Sequence, residues 1–300
     1  MTTGTFTYID PSSVSASTSG SVKPWNKVDV HKTSFSTIDC ERTVTNIRHL
    51  ESGVSAVSLD STGFALVNHP VREKYFNEDS AVRGEYYADV EILLRGNLPG
   101  IKKIIIFDHT IRRREATSPR QPVRLVHVDQ TPAAAEARVR RHIPDKKEAQ
   151  ELLKCRYQLI NIWRPIGHNA SDFPLAVLDW RSTMPQDFVK VDLMYPKQSE
   201  NSSTEVLADE ESIDSIEGYE RRGEQYVLSP NDKHMWCYAK DMTPDEALLI
   251  KCFDSRSQYE PHGIVGVASS APHTAFEDPE TPSDTTPRQS IEVRCLVFYE

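Results

Sequence analysis

The chain has little from which to build a disulfide scaffold or a thiolate metal site. Its five cysteines, at 40, 155, 237, 252 and 295, are odd in number, widely scattered and without a CxxC pair. That pattern excludes both arrangements and fits a reducing cytosol, so any metal must be held by histidine and carboxylate. Positive charge is also in deficit. Acidic residues outnumber basic ones by 44 to 35, a net charge of −9, which argues against nucleic acid or an anionic membrane as a partner. No apolar run approaches the ~18 residues that a membrane span needs. The opening Met1-Thr2-Thr3-Gly4-Thr5-Phe6 lacks the basic-then-apolar layout of a secretory signal. These absences lead to the expectation of a soluble, cytoplasmic, globular protein. With 300 residues, 38% of them hydrophobic, one large domain with a real core is affordable, alone or as a homo-oligomer.

What is present divides at about residue 40. Residues 1–40 are rich in Ser and Thr, with Pro11 and Pro24 as breakers, and read as a loosely structured arm. Residues 41–300 read as a single domain. Gly63–His69 looks like a short buried strand, Ala81–Leu94 a helix with apolar residues at helical spacing, and Ile104–Asp108 a core strand. Pro122–Gln130 alternates as another strand. Thr131–Cys155 is the clearest helical stretch, interrupted at Pro144. From Arg156 the chain turns strongly β: Tyr157–Trp163, Leu175–Trp180, Phe188–Met194, Gln225–Tyr238, Ala247–Asp254 and Ser290–Tyr299 all read as strands. An acidic, Ser-rich segment from Lys197 to Gly223 interrupts them and reads as a surface insertion or lid. Many short strands behind one helical region suggest a mainly β barrel or jelly roll buttressed by helices.

The tripeptide His127-Val128-Asp129 carries the first chemical signal. Residues two apart on a strand share a face, so an imidazole and a carboxylate would project together into the barrel. Neutral imidazole nitrogen with carboxylate oxygen suits Fe(II), Mn(II) or Zn(II), and a second histidine would complete a facial triad. Taken alone His-x-Asp is weak, because the tripeptide arises often by chance. A distal histidine near the last strand is needed, and His273 fits; His262, in a Pro-His-Gly turn, competes with it. His109, His168 and His234 lack that relation to the final strand and read as hydrogen-bonded core or loop histidines.

The final strand adds the second signal. Arg288, Ser290, Glu292 and Arg294 share one face, with Ile291, Val293 and Cys295 on the other. A buried strand with charges on its inner face needs partners for them. A dicarboxylate ligand would supply one. Arg288 can hold its carboxylate through two parallel hydrogen bonds, with Ser290 adding a hydroxyl. Arg294 faces the same way but has Glu292 as its neighbour. Without the upstream His-x-Asp, the same residues could simply pair with one another at an edge.

The order of several motifs makes a family resemblance specific. Phe107-Asp108-His109-Thr110-Ile111-Arg112-Arg113, Val126–Thr131, Asn161-Ile162-Trp163-Arg164-Pro165, Met242–Ala247, Lys251–Ser255, His273–Phe276 and the closing Arg288–Tyr299 strand resemble a group of fungal and bacterial oxygenases. These are the relatives of the cephamycin methoxylase component and gibberellin desaturase, and the likeness covers roughly residues 55–300. It implies a double-stranded β-helix of the jelly-roll, cupin-like kind. It also implies Fe(II) and 2-oxoglutarate as cofactors, and dioxygen with a small secondary-metabolism molecule as substrates. His127, Asp129 and His273 would be the ligands, with Arg288, Ser290, Arg294 and Arg164 toward the cofactor. Trp163 and Arg164 would line the pocket or pack as a strand end. The departures are the Lys197–Gly223 insertion and a stretched Pro279–Pro287 loop, both bordering the substrate pocket on this view. A zinc hydrolase or isomerase on a cupin-like barrel would use the same ligands but needs no arginine for a dicarboxylate. A non-catalytic binding barrel would leave the ligand set unexplained.

Overall fold

The computed structural model describes residues 1–15, 23–28, 30, 32–115, 121–197 and 215–300. Its fourteen strands form two sheets among these residues. The larger runs β1 (Thr2–Ile9), β3 (Thr37–Asn46), β11 (Trp236–Tyr238), β8 (Leu175–Leu178), β13 (His273–Ala275), β6 (His127–Val128), β10 (Tyr219–Leu228), β9 (Phe188–Pro196) and β2 (Trp25–Lys27). The smaller runs β4 (Phe64–Asn68), β12 (Glu246–Asp254), β7 (Tyr157–Pro165), β14 (Gln289–Tyr299) and β5 (Ile101–Arg113).

The sheets face each other, and alternation decides what each side chain meets. On β14 the inner face carries Ser290, Glu292 and Arg294 and then Leu296 and Phe298. Those last two pack with Val128 and Leu178 of the opposite sheet and with Val139 and Leu152 of the helices. The outer face, Ile291, Val293, Cys295 and Val297, packs under Val90, Leu93 and Leu94 of the helix Tyr87–Asn97. Strands β7 and β12 are buried at every position because both faces of this sheet are covered. One end of the space between the sheets is therefore an apolar plug, and the polar half of β14 lies beyond it. This is the jelly-roll core expected from the sequence. No helix among the described residues is long and apolar enough to cross a membrane.

Two helices, Pro132–His142 and Lys146–Lys154, replace the expected Thr131–Cys155 stretch, divided where Pro144 was read as a break. Thr131 caps the first by accepting from the Ala134 N–H, and Asp145 caps the second through Lys147 and Glu148.

Four expectations need correction. Residues 1–40 are not a loose arm where they are described. Thr2–Ile9 pairs along its whole length with Thr37–Asn46, and Phe6, Tyr8 and Ile9 are fully buried. The Ser/Thr-rich composition hid this, although threonine is β-branched and serves well on the outer face of a strand. Gly4 is part of that packing, since a Cβ there would meet the Phe276 ring at 2.4 Å. Pro122–Gln130 shrinks to the two-residue strand His127–Val128. Gln225–Tyr238 is two strands, with Ser229–Met235 as the turn between them. The segment Lys197–Gly223 is not all insertion. Tyr219–Gly223 is the start of β10, bulged against β9, while residues 198–214 lie outside the described part.

Candidate metal centre

The two candidate histidines meet because their strands are neighbours. β6 and β13 pair antiparallel at a single rung, His273 opposite His127, so both side chains leave the same face of the sheet. Their ring centroids are 4.6 Å apart. His127 Nδ1 is 2.8 Å from the Leu125 carbonyl and His273 Nδ1 is 3.1 Å from the Ala271 carbonyl. A carbonyl only accepts, so each Nδ1 carries a proton and each Nε2 is the atom turned to the site. Val128, between His127 and Asp129, points the other way into the core.

Asp129 completes the group. Candidate ligand atoms of His127, Asp129 and His273 all lie within 4.8 Å of one another. The carboxylate is held asymmetrically. Oδ2 accepts from Asn161 Nδ2 at 2.8 Å and from Arg294 Nε at 3.2 Å, whereas Oδ1 faces His127 Nε2 at 3.4 Å. Burial pushes this carboxyl upward, but Arg294 and then His127 outweigh it and hold it well below the usual carboxylate range. At His273, burial and then His127 lower the imidazole's affinity for a proton, so it stays neutral. At His127 burial works the same way, but the hydrogen bond and charge of Asp129 outweigh it and raise the imidazole's affinity for a proton, so a metal there would displace that proton. Two imidazoles and one ionised carboxylate form a donor set suited to a divalent cation. The residues present fit an Fe(II) ion in type and number.

Arg288 stands at the other end of the same cleft. Its guanidinium is buried over the Trp163 ring, 5.6 Å from the centroid, and donates through Nη1 to the Phe173 carbonyl. Its Nε is buried and has no partner among the described residues. Burial, then Arg112 alongside, push the guanidinium down to about 9, against the pull of Asp172 and Glu292. A buried cation with an unused donor calls for an anion. Phe173 reaches Arg288 only by adopting φ 41°, a left-handed conformation unusual for a bulky residue. The adjacent Asp172 carboxylate accepts from the Arg288 N–H at 2.8 Å and from Arg114 at 2.6 Å, and Arg114 stacks on the Phe173 ring.

A cleft of about 450 Å³, counted out to open solvent, joins these two ends. His127, Asp129, His273, Arg288, Ser290, Arg294 and Trp163 all line it. Arg164 does not. Being next to Trp163 on β7 it points to the opposite face, where it donates to the His69 and Pro244 carbonyls and to Tyr86. Alternation could have excluded it. His262 has φ 64° in an exposed turn and is absent from the cluster. Sequence reasoning missed Asn161, two residues before Trp163 and so on its face, as well as Thr110 and Arg112. Asp172 and Phe173 left no signal, since a loop conformation brings them in.

The family model described as YDMC, oxidoreductase/YMDC permease-like domain, matches residues 6–298. The hydroxylase/desaturase CTB9 of Cercospora beticola is 30% identical over 262 residues, 81% of this chain and 72% of that protein. The Fe(II)/2-oxoglutarate-dependent dioxygenase nvfI of Aspergillus novofumigatus is 29% identical over 248 residues, covering 80% and 77% respectively. A solved structure of the iron and alpha-ketoglutarate-dependent endoperoxidase NvfI superposes with a TM-score of 0.76 at 24% identity, over 99% of this chain and 97% of that one, and so shares the fold. The chain belongs to this oxidoreductase family, together with the fungal Fe(II)/2-oxoglutarate-dependent dioxygenases and hydroxylase/desaturases.

Proposed function

We propose that the chain is an Fe(II)- and 2-oxoglutarate-dependent oxygenase that hydroxylates, desaturates or oxidatively cyclises a small secondary-metabolism substrate. In this reading His127, Asp129 and His273 hold the iron, while Arg288 and Ser290 hold the distal carboxylate of 2-oxoglutarate. One observation carries it: a three-residue metal-type cluster shares a cleft with a buried arginine whose Nε has no partner among the described residues. A zinc hydrolase would need the cluster but not the arginine.

Bound iron with 2-oxoglutarate supplies the oxidation of an unactivated C–H bond by dioxygen, with carbon dioxide and succinate as the other products. The chain's own residues do the rest. Leu125 and Ala271 accept from the Nδ1 protons of His127 and His273 and fix both rings with Nε2 turned toward the metal position. Arg288 and Ser290, two apart on β14, face the cleft together and orient a carboxylate, and Trp163 forms an apolar wall against the guanidinium. The plug of Leu296, Phe298 and their neighbours closes the space beyond the metal end and excludes water there. We place the enzyme in the cytosol, where its unpaired thiols stay reduced.

The test is oxygen consumption in the presence of Fe(II) and 2-oxoglutarate, followed together with succinate. The reading requires one succinate per dioxygen consumed, abolished when 2-oxoglutarate is omitted. Turnover supported by zinc without oxygen uptake would replace it with the hydrolase or isomerase.

A further inference from the structure

We infer that Arg294 and Asn161 are positioning residues that hold Asp129 to a single metal-facing oxygen. The inference rests on the ligand set proposed above and adds what its carboxylate is prevented from doing. A carboxylate can bind a metal through one oxygen or both, and the choice depends on what else its second oxygen is doing. Here Oδ2 is already committed. It accepts from Asn161 and from Arg294, which are direct cross-strand partners on β7 and β14.

Neither donor is free to follow Oδ2 toward a metal. The Arg294 guanidinium is fixed by three further acceptors: Glu292 at 2.6 Å, the Thr110 hydroxyl at 2.8 Å and Asp108 at 3.3 Å. Asn161 sits on a strand buried at every position and paired on both sides. Turning Asp129 to offer both oxygens would break two charge-assisted hydrogen bonds, one of them an ion pair, inside a largely buried cleft. The held carboxylate offers one oxygen, so a metal here would take three donors from the protein, one each from His127, Asp129 and His273, and would keep the rest of its coordination for cofactor and substrate. Arg294 is thereby removed from the cofactor contacts expected of it: its Nε, Nη1 and Nη2 all donate to protein oxygens, whereas Arg288 keeps an unpartnered Nε.

The experiment is a calorimetric titration of the metal-free protein with Mn(II), together with the visible spectrum of the Co(II)-loaded protein. It compares wild type with Asn161→Ala, Arg294→Lys and His273→Ala. Arg294→Lys keeps the charge that Glu292 and Asp129 require, and Asn161→Ala leaves every charge in place, so at least one should fold. Both are expected to weaken Mn(II) by about 10–100-fold, the usual effect of removing a partner that orients a metal ligand. Both should also alter the Co(II) spectrum, while 2-oxoglutarate affinity at saturating Mn(II) changes by less than about threefold. Unchanged Mn(II) affinity and an unchanged Co(II) spectrum in the two variants, with binding lost in His273→Ala, would overturn the clamp and leave the ligand set standing. Wild-type Mn(II) affinity in His273→Ala would instead overturn the ligand set, and the clamp with it.

Discussion

Arg288 and Arg294 share one face of one strand, line the same cleft and are largely withdrawn from solvent, yet they end in opposite electrostatic states. Around Arg294, Glu292 and then Asp129 and Asp108 more than cancel the penalty of burial, and the guanidinium is held above its ordinary value. Around Arg288 burial wins, Arg112 adds to it, and the value falls to about 9. The difference shows what makes a buried charge a site. Burial alone does not, because a saturated network such as that of Arg294 is structural. A buried cation whose compensation is incomplete retains a demand for an anion, and only the Arg288 end of the cleft has it.

The largest expected effect on this contrast comes from removing the metal to which both ends refer. His273→Ala should abolish stoichiometric Fe(II) binding while the far-ultraviolet circular dichroism is kept, because the core packs away from the rung that His273 shares with His127. Iron at one equivalent in that variant would move the distal ligand elsewhere, His262 being the other sequence candidate.

A smaller effect is expected from loosening the hold on Arg288 without touching it. Asp172→Asn weakens the link to Arg114 and to the Arg288 N–H, each worth roughly 1.5–3 kcal/mol when charged. Only part of that reaches the guanidinium, and losing the Asp172 charge also leaves Arg288 less compensated and readier for an anion, so the 2-oxoglutarate KM should rise by only about threefold at nearly constant Mn(II) affinity. No change in KM would show that Phe173 alone sets the arginine.

Arg164→Ala should have no effect on the cofactor. It strands the His69 and Pro244 carbonyls, at roughly 1–3 kcal/mol for each unsatisfied group. Thermal unfolding should therefore shift down by several degrees, with the 2-oxoglutarate KM within about twofold of wild type. A large rise in KM would restore Arg164 to the cleft.

How much of this was legible in the sequence follows from range. The β14 alternation, the His127-x-Asp129 spacing and the helical stretch broken at Pro144 are local patterns, and the fold obeys them. The partnership of His127 with His273 was legible only as a need for a distal histidine, because nothing local states which strands become neighbours. The arm at residues 1–40 was misread since composition was weighed above alternation: Phe6 and Tyr8, between outward threonines, are the signature of a half-buried strand. Arg164 was placed toward the cofactor by the resemblance, whereas alternation from Trp163 turns it to the opposite face, where it packs at the strand end. Asp172 and Phe173 were beyond reach, because a left-handed φ at phenylalanine is imposed by tertiary contacts.

The division of labour between the two arginines is tested most directly by titrating 2-oxoglutarate against Mn(II)-loaded Arg288→Ala and Arg294→Ala side by side. Losing one partner of a buried charge pair costs about 2–5 kcal/mol. Arg288→Ala should therefore bind 2-oxoglutarate roughly 30-fold more weakly or worse, since ~1.4 kcal/mol is tenfold. Arg294→Ala should bind it nearly as wild type does once Mn(II) is saturating. A near-normal constant for Arg288→Ala with a large rise for Arg294→Ala would contradict the account.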